Sequence, residues 1–159
     1  MEEDIRKICL PQKTQDEPNC WFRQSVNLVG YGATDSDTTN PLRTAKLDIV
    51  ETSLCIDQHD KDLPEIKRSL PGNPMIIASQ LCVKDDGVKH DVQGSCAGDS
   101  GSPAIRKNHR KNAFEQVAVV HGSVVNCRAD IFPTILTRLD DPNIFEFIIK
   151  HLNGNSNNI

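Results

Sequence analysis

The chain has 159 residues, with 18 Lys+Arg against 22 Asp+Glu and a formal net charge of −4. That length fits one domain, and 37% hydrophobic with 25% charged residues excludes a wholly disordered or membrane-like chain. The acidic balance argues against a general nucleic-acid binder, which shows a basic face, and no apolar run approaches the length of a membrane span.

In chain order, residues 24–31 (QSVNLVGY) are β-rich and end in Gly30-Tyr31-Gly32. Residues 34–40 are rich in Asp, Ser, Thr and Asn and read as a turn region. Residues 45–50 (AKLDIV) alternate as a half-buried strand should. Residues 51–58 suit one or two helical turns, and residues 61–73, with Pro64, Pro71 and Gly72, read as loop. Strands are predicted over 75–83, 116–121 and 133–139, with an irregular Gly-, Asp- and Ser-rich stretch at 85–101. The basic run from Arg106 to Lys111 reads as a solvated loop rather than a phosphate groove.

At the C-terminus Asp141 reads as a cap residue, followed by Pro142 at the first helical position. Ile144, Phe147, Ile148 and Leu152 then fall at helical spacing, and Gly154 closes the segment. Short strands, turns and one terminal helix indicate a mainly antiparallel β fold.

Six cysteines stand at 9, 20, 55, 82, 96 and 127, with no C-x-x-C pair to suggest zinc or redox chemistry. His59-Asp60 and His90-Asp91 are too isolated to make a metal site, so no metal or cofactor is expected. The cysteines suit an oxidised domain. The acidic Met1-Glu2-Glu3-Asp4, with no apolar run after it, is not a secretory signal. Either the thiols stay reduced or this N-terminus is not the biological one.

The stretch from Gly94 to Pro103 (GSCAGDSGSP) carries the chemistry. Glycines beside a serine let backbone approach a substrate, and successive amides there can bind a developing oxyanion. A hydrolase elbow of the G-x-S-x-G type would need glycine at 102, where Ser102 stands. The stretch resembles the nucleophile loop of the trypsin-like (chymotrypsin-family) serine proteases, usually G-D-S-G-G-P. Further matches occur in the family's order. Ile8-Cys9-Leu10-Pro11 resembles I-C-L-P, Gly30-Tyr31-Gly32 resembles G-W-G, and Leu54-Cys55 with Leu81-Cys82 flank a loop as the family's paired cysteines do. The run from Pro133 to Arg138 resembles P-G-V-Y-T-R.

The resemblance implies the family's second barrel: an all-β, antiparallel, six-stranded Greek-key β-barrel over residues 24–140. A connecting segment (1–23) would precede it, and a C-terminal α-helix (141–153) and tail (154–159) would follow. It makes Ser100 the nucleophile, the amides of Gly98 and Ser100 the oxyanion hole, and Asp99 the carboxylate that answers a newly cleaved N-terminus. The pocket would be lined by Gly94, Ser95, Thr134 and either Ser123 or Val124. Gly94 stands where trypsin-like enzymes place Asp, and Thr134 replaces a glycine, so a small or medium apolar residue is expected before the scissile bond. Disulfides Cys55–Cys82 and Cys96–Cys127 follow from the family. For Cys9, pairing with Cys20 or with an upstream cysteine stays open.

His121, where the family has a small residue, reads as a partly buried structural histidine. In this family both the base and its orienting carboxylate precede I-C-L-P, and only eight residues precede Cys9. The expectation is a C-terminal half, inactive alone, of a secreted serine endopeptidase. Its partners would be a polypeptide substrate or protein inhibitor and the first barrel, with no nucleic acid and no membrane. The alternative is a non-catalytic homologue serving as a protein-binding module.

Overall fold

A computed structural model of the chain describes residues 7–11, 24–33, 41–51, 53, 79–86, 93–122, 127, 129–130 and 133–154. Six strands occur in these: β1 Ser25–Gly30, β2 Arg43–Val50, β3 Gln80–Lys84, β4 Pro103–Asn108, β5 Ala113–Gly122 and β6 Thr134–Arg138. A C-terminal helix, α1, spans Pro142–Gly154. The strands close into an antiparallel barrel in the order β1-β2-β3-β6-β5-β4. Two three-stranded meanders are thus joined by a crossover from β3 to β4, the Greek-key arrangement expected from the sequence.

Period-two patterning builds the core. Val26 and Leu28 of β1 face inward with Leu47 and Ile49 of β2, and Val26 sits opposite Leu47 in the ladder. Leu81 and Val83 of β3, Val117 and Val120 of β5 and Leu136 of β6 complete one cluster. Burying each such side chain contributes about 1.5–3 kcal/mol. A β-bulge falls between Ala104 and Ile105 in the β4–β5 ladder, and another between Val120 and Gly122 in the β5–β6 ladder. The second re-aims the end of β5 beside the crossover.

The helix begins as its sequence predicts. Asp141 Oδ1 accepts hydrogen bonds from the amides of Asn143 (3.0 Å) and Ile144 (3.2 Å), the N-cap that satisfies otherwise orphaned donors. Pro142 occupies the first helical position.

One expectation is corrected. The basic run is not all loop, because Arg106, Lys107 and Asn108 belong to β4 and only residues 109–112 form the turn. The reason is Glu115, 1% exposed, opposite Arg106 in the ladder. Its carboxylate takes hydrogen bonds from Arg106 (3.1 Å), Asn108 (2.7 Å) and Lys111 (3.3 Å). Arg106 also reaches Gln24 Oε1 before β1. A polar cluster therefore replaces apolar residues at this end of the barrel, and apolar patterning misses the strand.

Burial pushes the Glu115 carboxyl up. The hydrogen bonds from Asn108, Arg106 and Lys111, with the Arg106 charge, outweigh it and hold the pKa below the ordinary 4.5. A carboxylate whose pKa falls on folding adds stability above its unfolded pKa and loses it as pH drops through the folded value. Glu115→Gln is expected to lower stability by about 1–3 kcal/mol at pH 7. The gap in melting temperature between wild type and variant should close as pH falls below about 4. A gap that stays constant with pH would show that the charge is not what matters.

The predicted segments at 34–40, 52, 54–58, 61–73 and 75–78 lie outside the described residues. Among the described residues no helix is long and apolar enough to cross a membrane.

Candidate active site

The β3–β4 crossover carries the Gly94–Pro103 stretch over one end of the barrel. Two tight turns shape it, with Asp99 N bonding Cys96 O (3.0 Å) and Ser102 N bonding Asp99 O (2.9 Å). Gly98 has φ 96° and Gly101 φ 87°. These are left-handed conformations that favour glycine, so the G-D-S-G spelling follows from the turn geometry. The loop is held by three backbone hydrogen bonds to Ala33 and Val120. Ala33 N bonds Ala97 O (2.8 Å), Gly101 N bonds Val120 O (2.9 Å), and Val120 N bonds Ser102 O (2.9 Å). The Cys96–Cys127 disulfide ties it to the segment between β5 and β6.

The Asp99 side chain clasps the loop to the end of β1. One carboxylate oxygen accepts the Gly32 amide and the other the Cys96 amide, both at 2.8 Å. A Cβ at Gly30 or Gly32 would overlap the same carboxylate. The G-x-G after β1 is therefore the bed on which Asp99 lies. The two charge-assisted bonds span 67 and 3 positions of sequence. Gly32→Ala is expected to displace the carboxylate and cost about 1–3 kcal/mol. In an Asp99→Ala background the same change should cost under half as much, read as a double-mutant cycle in thermal melts. Additive costs would remove the clasp from the explanation.

Ser100 is exposed at the apex, and its hydroxyl donates a long bond (3.5 Å) to the His121 carbonyl. Among the described residues neither the Gly98 amide nor the Ser100 amide has an acceptor within the chain. Among the described residues, an exposed hydroxyl thus shares its loop with two amide donors that no acceptor of the chain takes up. Donors of this kind stabilise an oxygen on which negative charge develops. His121 is exposed rather than partly buried, since the bulge at the end of β5 leaves it on the outer surface. Among the described residues no imidazole bonds the Ser100 hydroxyl.

Gly94, Ser95 and Thr134 lie together at the start of β6. Ser95 (2% exposed) and Thr134 (0%) are buried, with their hydroxyl oxygens 3.0 Å apart, and the Ser95 amide donates to Thr134 Oγ1 at 3.3 Å. A Cβ on Gly94 would stand 2.6 Å from the Cys127 carbonyl oxygen and 2.9 Å from the Ala129 nitrogen. Both obstacles are backbone, so this position has no room for any side chain. Ser123, Val124, Cys55 and Cys20 lie outside the described residues. Cys82 is disulfide-bonded, and Cys9 is a free, exposed thiol.

Sequence reasoning missed the Asp99–Gly32 contact, although both ends of it, the G-Y-G and the G-D-S-G, were visible as motifs. It also missed Asp85, which accepts the Gln93 amide at 2.5 Å and so fixes the entry to the loop.

A family model described as Trypsin matches residues 1–147. Similar curated proteins include Transmembrane protease serine 11A of Homo sapiens, 26% identical over 140 residues, covering 86% of this chain and 29% of that protein. Granzyme A of Bos taurus is 31% identical over 85 residues, which are 52% of this chain and 28% of that protein. Clotting factor G beta subunit of Tachypleus tridentatus is 27% identical over 139 residues, 86% of this chain and 42% of that protein. The matched stretch thus spans less than half the length of each of these relatives.

Proposed function

The chain belongs to the trypsin family of serine proteases, and from that premise we propose that it is the nucleophile-bearing half of a serine endopeptidase. The observation that carries this reading is the exposed Ser100 hydroxyl in one loop with two amides that have no acceptor among the described residues. In the proposed reaction Ser100 Oγ attacks the carbonyl carbon of a peptide bond and loses its proton to a base. The carbonyl oxygen gathers negative charge against the amides of Gly98 and Ser100. Collapse expels the amine, which takes the proton from the base, and leaves an acyl group on Ser100 for water to remove.

The base and its orienting carboxylate belong, on this reading, to a first barrel outside these 159 residues. Among the described residues the Ser100 hydroxyl is hydrogen-bonded only to a backbone carbonyl, which is too weak a base to remove its proton. The chain alone is then inactive. Asp99 positions the loop through the Gly32 and Cys96 amides, and pairing with a cleaved N-terminus would add to that hold. The disulfide favours an oxidising, extracellular setting. Polypeptide substrates and protein inhibitors are the partners.

Gly94, Ser95 and Thr134, with Ser123 or Val124 as the wall, would accept a small or medium apolar residue. Gly94→Asp, the change that would make a basic-specific pocket, is expected to fail. It should cost about 1–3 kcal/mol by overpacking against backbone and give no cleavage after Arg or Lys. A stable variant that cleaves there would contradict the pocket geometry.

A second reading, a non-catalytic binding module, draws on Ser102 in place of the family's second glycine and on the exposed His121 beside Ser100. Turnover of peptide substrates separates the two. A natural form that also carries the family's histidine and aspartate should hydrolyse them, whereas the 159-residue chain should not. An inert longer form would favour the binding module. Turnover by the short chain that Ser100→Ala abolishes would overturn the need for a first barrel.

A further inference from the structure

The β4–β5 hairpin points away from the Ser100 loop and carries a charge pattern that the proposed proteolysis does not use. Residues 100–114 hold Arg106, Lys107, Arg110 and Lys111 and no acid, in a chain of net charge −4. The buried Glu115 takes the heads of Arg106 and Lys111. Asn108 Oδ1 accepts the amides of Arg110 (3.0 Å) and Lys111 (3.1 Å), so the turn's own donors are satisfied internally. What remains exposed on this ordered base is Lys107, His109, Arg110 and the half-exposed Lys111. Lys107 and Arg110 have no ion-pair partner among the described residues.

Two further observations place groups beside them. The Cys9 strap runs parallel to β5, with Cys9 N bonding Phe114 O (3.3 Å) and Gln116 N bonding Cys9 O (2.9 Å). That direction sends the exposed Lys7 toward the hairpin tip. Phe114 is 54% exposed and lies opposite Lys107 in the ladder, with the exposed Ile8 nearby on the strap. The hairpin and the strap beside it thus expose Lys7, Lys107, Arg110 and Lys111, with the exposed Phe114 paired to Lys107 in the ladder.

We propose that this hairpin is an exosite for a linear sulfated polysaccharide. Separated cations on a hairpin tip suit a ligand whose charges repeat along a chain, and a lone small anion would meet only one of them. An aromatic face between cations can take the apolar face of a sugar ring. The closed barrel offers no free strand edge to which an acidic peptide could add by backbone pairing. A single aromatic does not make the stacked track that single-stranded nucleic acid uses. Charge steering by such a patch is strong at low salt and screened at high salt.

The test is affinity of the 159-residue chain for heparin, used as the probe polysaccharide, across a salt series. Wild type is expected to bind at low salt and release as salt rises. Lys107→Glu/Arg110→Glu should lose affinity at least about tenfold, with an unchanged melting temperature. Phe114→Ser should weaken binding a few-fold without changing the salt dependence, and Lys150→Glu on α1 should change nothing. If the charge reversal does not fold, Lys107→Gln/Arg110→Gln replaces it, with at least a threefold loss expected. Absence of binding by wild type, an equal loss in Lys150→Glu, or equally potent competition by single-stranded DNA would each overturn the proposal.

Discussion

Ser100→Ala is expected to lower kcat by about 10⁵–10⁶-fold in a form that carries the family's base and carboxylate. KM and the melting temperature should barely move. Ser100 is exposed at the loop apex, and its one bond among the described residues is a 3.5 Å contact to a carbonyl. On the proposed role, removing the oxygen removes the nucleophile and little of the fold. Gly98 and Ser100 keep their amides in the variant, so a residual rate well above the uncatalysed reaction should survive. Steady-state kinetics beside a thermal melt checks both halves. A loss of activity matched by a loss of folding would make Ser100 a structural residue instead.

Arg138→Ala is expected to be the most destabilising single truncation among the polar residues, at about 3–5 kcal/mol. Arg138 ends β6 and grips Asp140 with two parallel bonds, Nε to Oδ1 at 3.0 Å and Nη2 to Oδ2 at 2.8 Å. Arg138 is 5% exposed and Asp140 0%, so the pair lies out of water. Truncating the arginine strips two charge-assisted bonds from a buried carboxylate beside the cap of α1. Removing both charges, as in Arg138→Met/Asp140→Leu, should cost less than Arg138→Ala alone, because no buried charge is left behind. Urea unfolding of the two variants decides this. A single-variant cost below about 1 kcal/mol would reassign the pair to the weak surface class.

These pairs also show what the sequence could reveal. The apolar alternation of Val26, Leu28, Leu47 and Ile49 marked β1 and β2 directly, since one face of each strand meets the core. Strand β4 escaped because only the small Ala104 enters the core and Arg106 beyond it faces a buried glutamate instead of an apolar neighbour. Polar patterning reads as loop unless its partner is known, and the partner here comes from another strand. Arg138 lay within a correctly predicted strand, but its burial depends on Asp140 and could not be seen in residues 133–139 alone.

The same limit applies to the site. The G-D-S-G spelling was legible because Gly98 and Gly101 are demanded locally by backbone conformation. The role of Gly32 was not, because it depends on a carboxylate 67 positions away. His121 was expected to be partly buried, and its exposure follows from a bulge that residue types do not announce.

We propose that Ser100 is a nucleophile whose base lies outside these 159 residues. Fluorophosphonate treatment followed by mass-spectrometric location of the adduct tests it directly. The result expected is one adduct on Ser100 in a longer form that also carries the family's histidine and aspartate, blocked by Ser100→Ala, with no adduct on the 159-residue chain under the same conditions. An unlabelled Ser100 in a folded longer form that carries the histidine and aspartate would contradict the account.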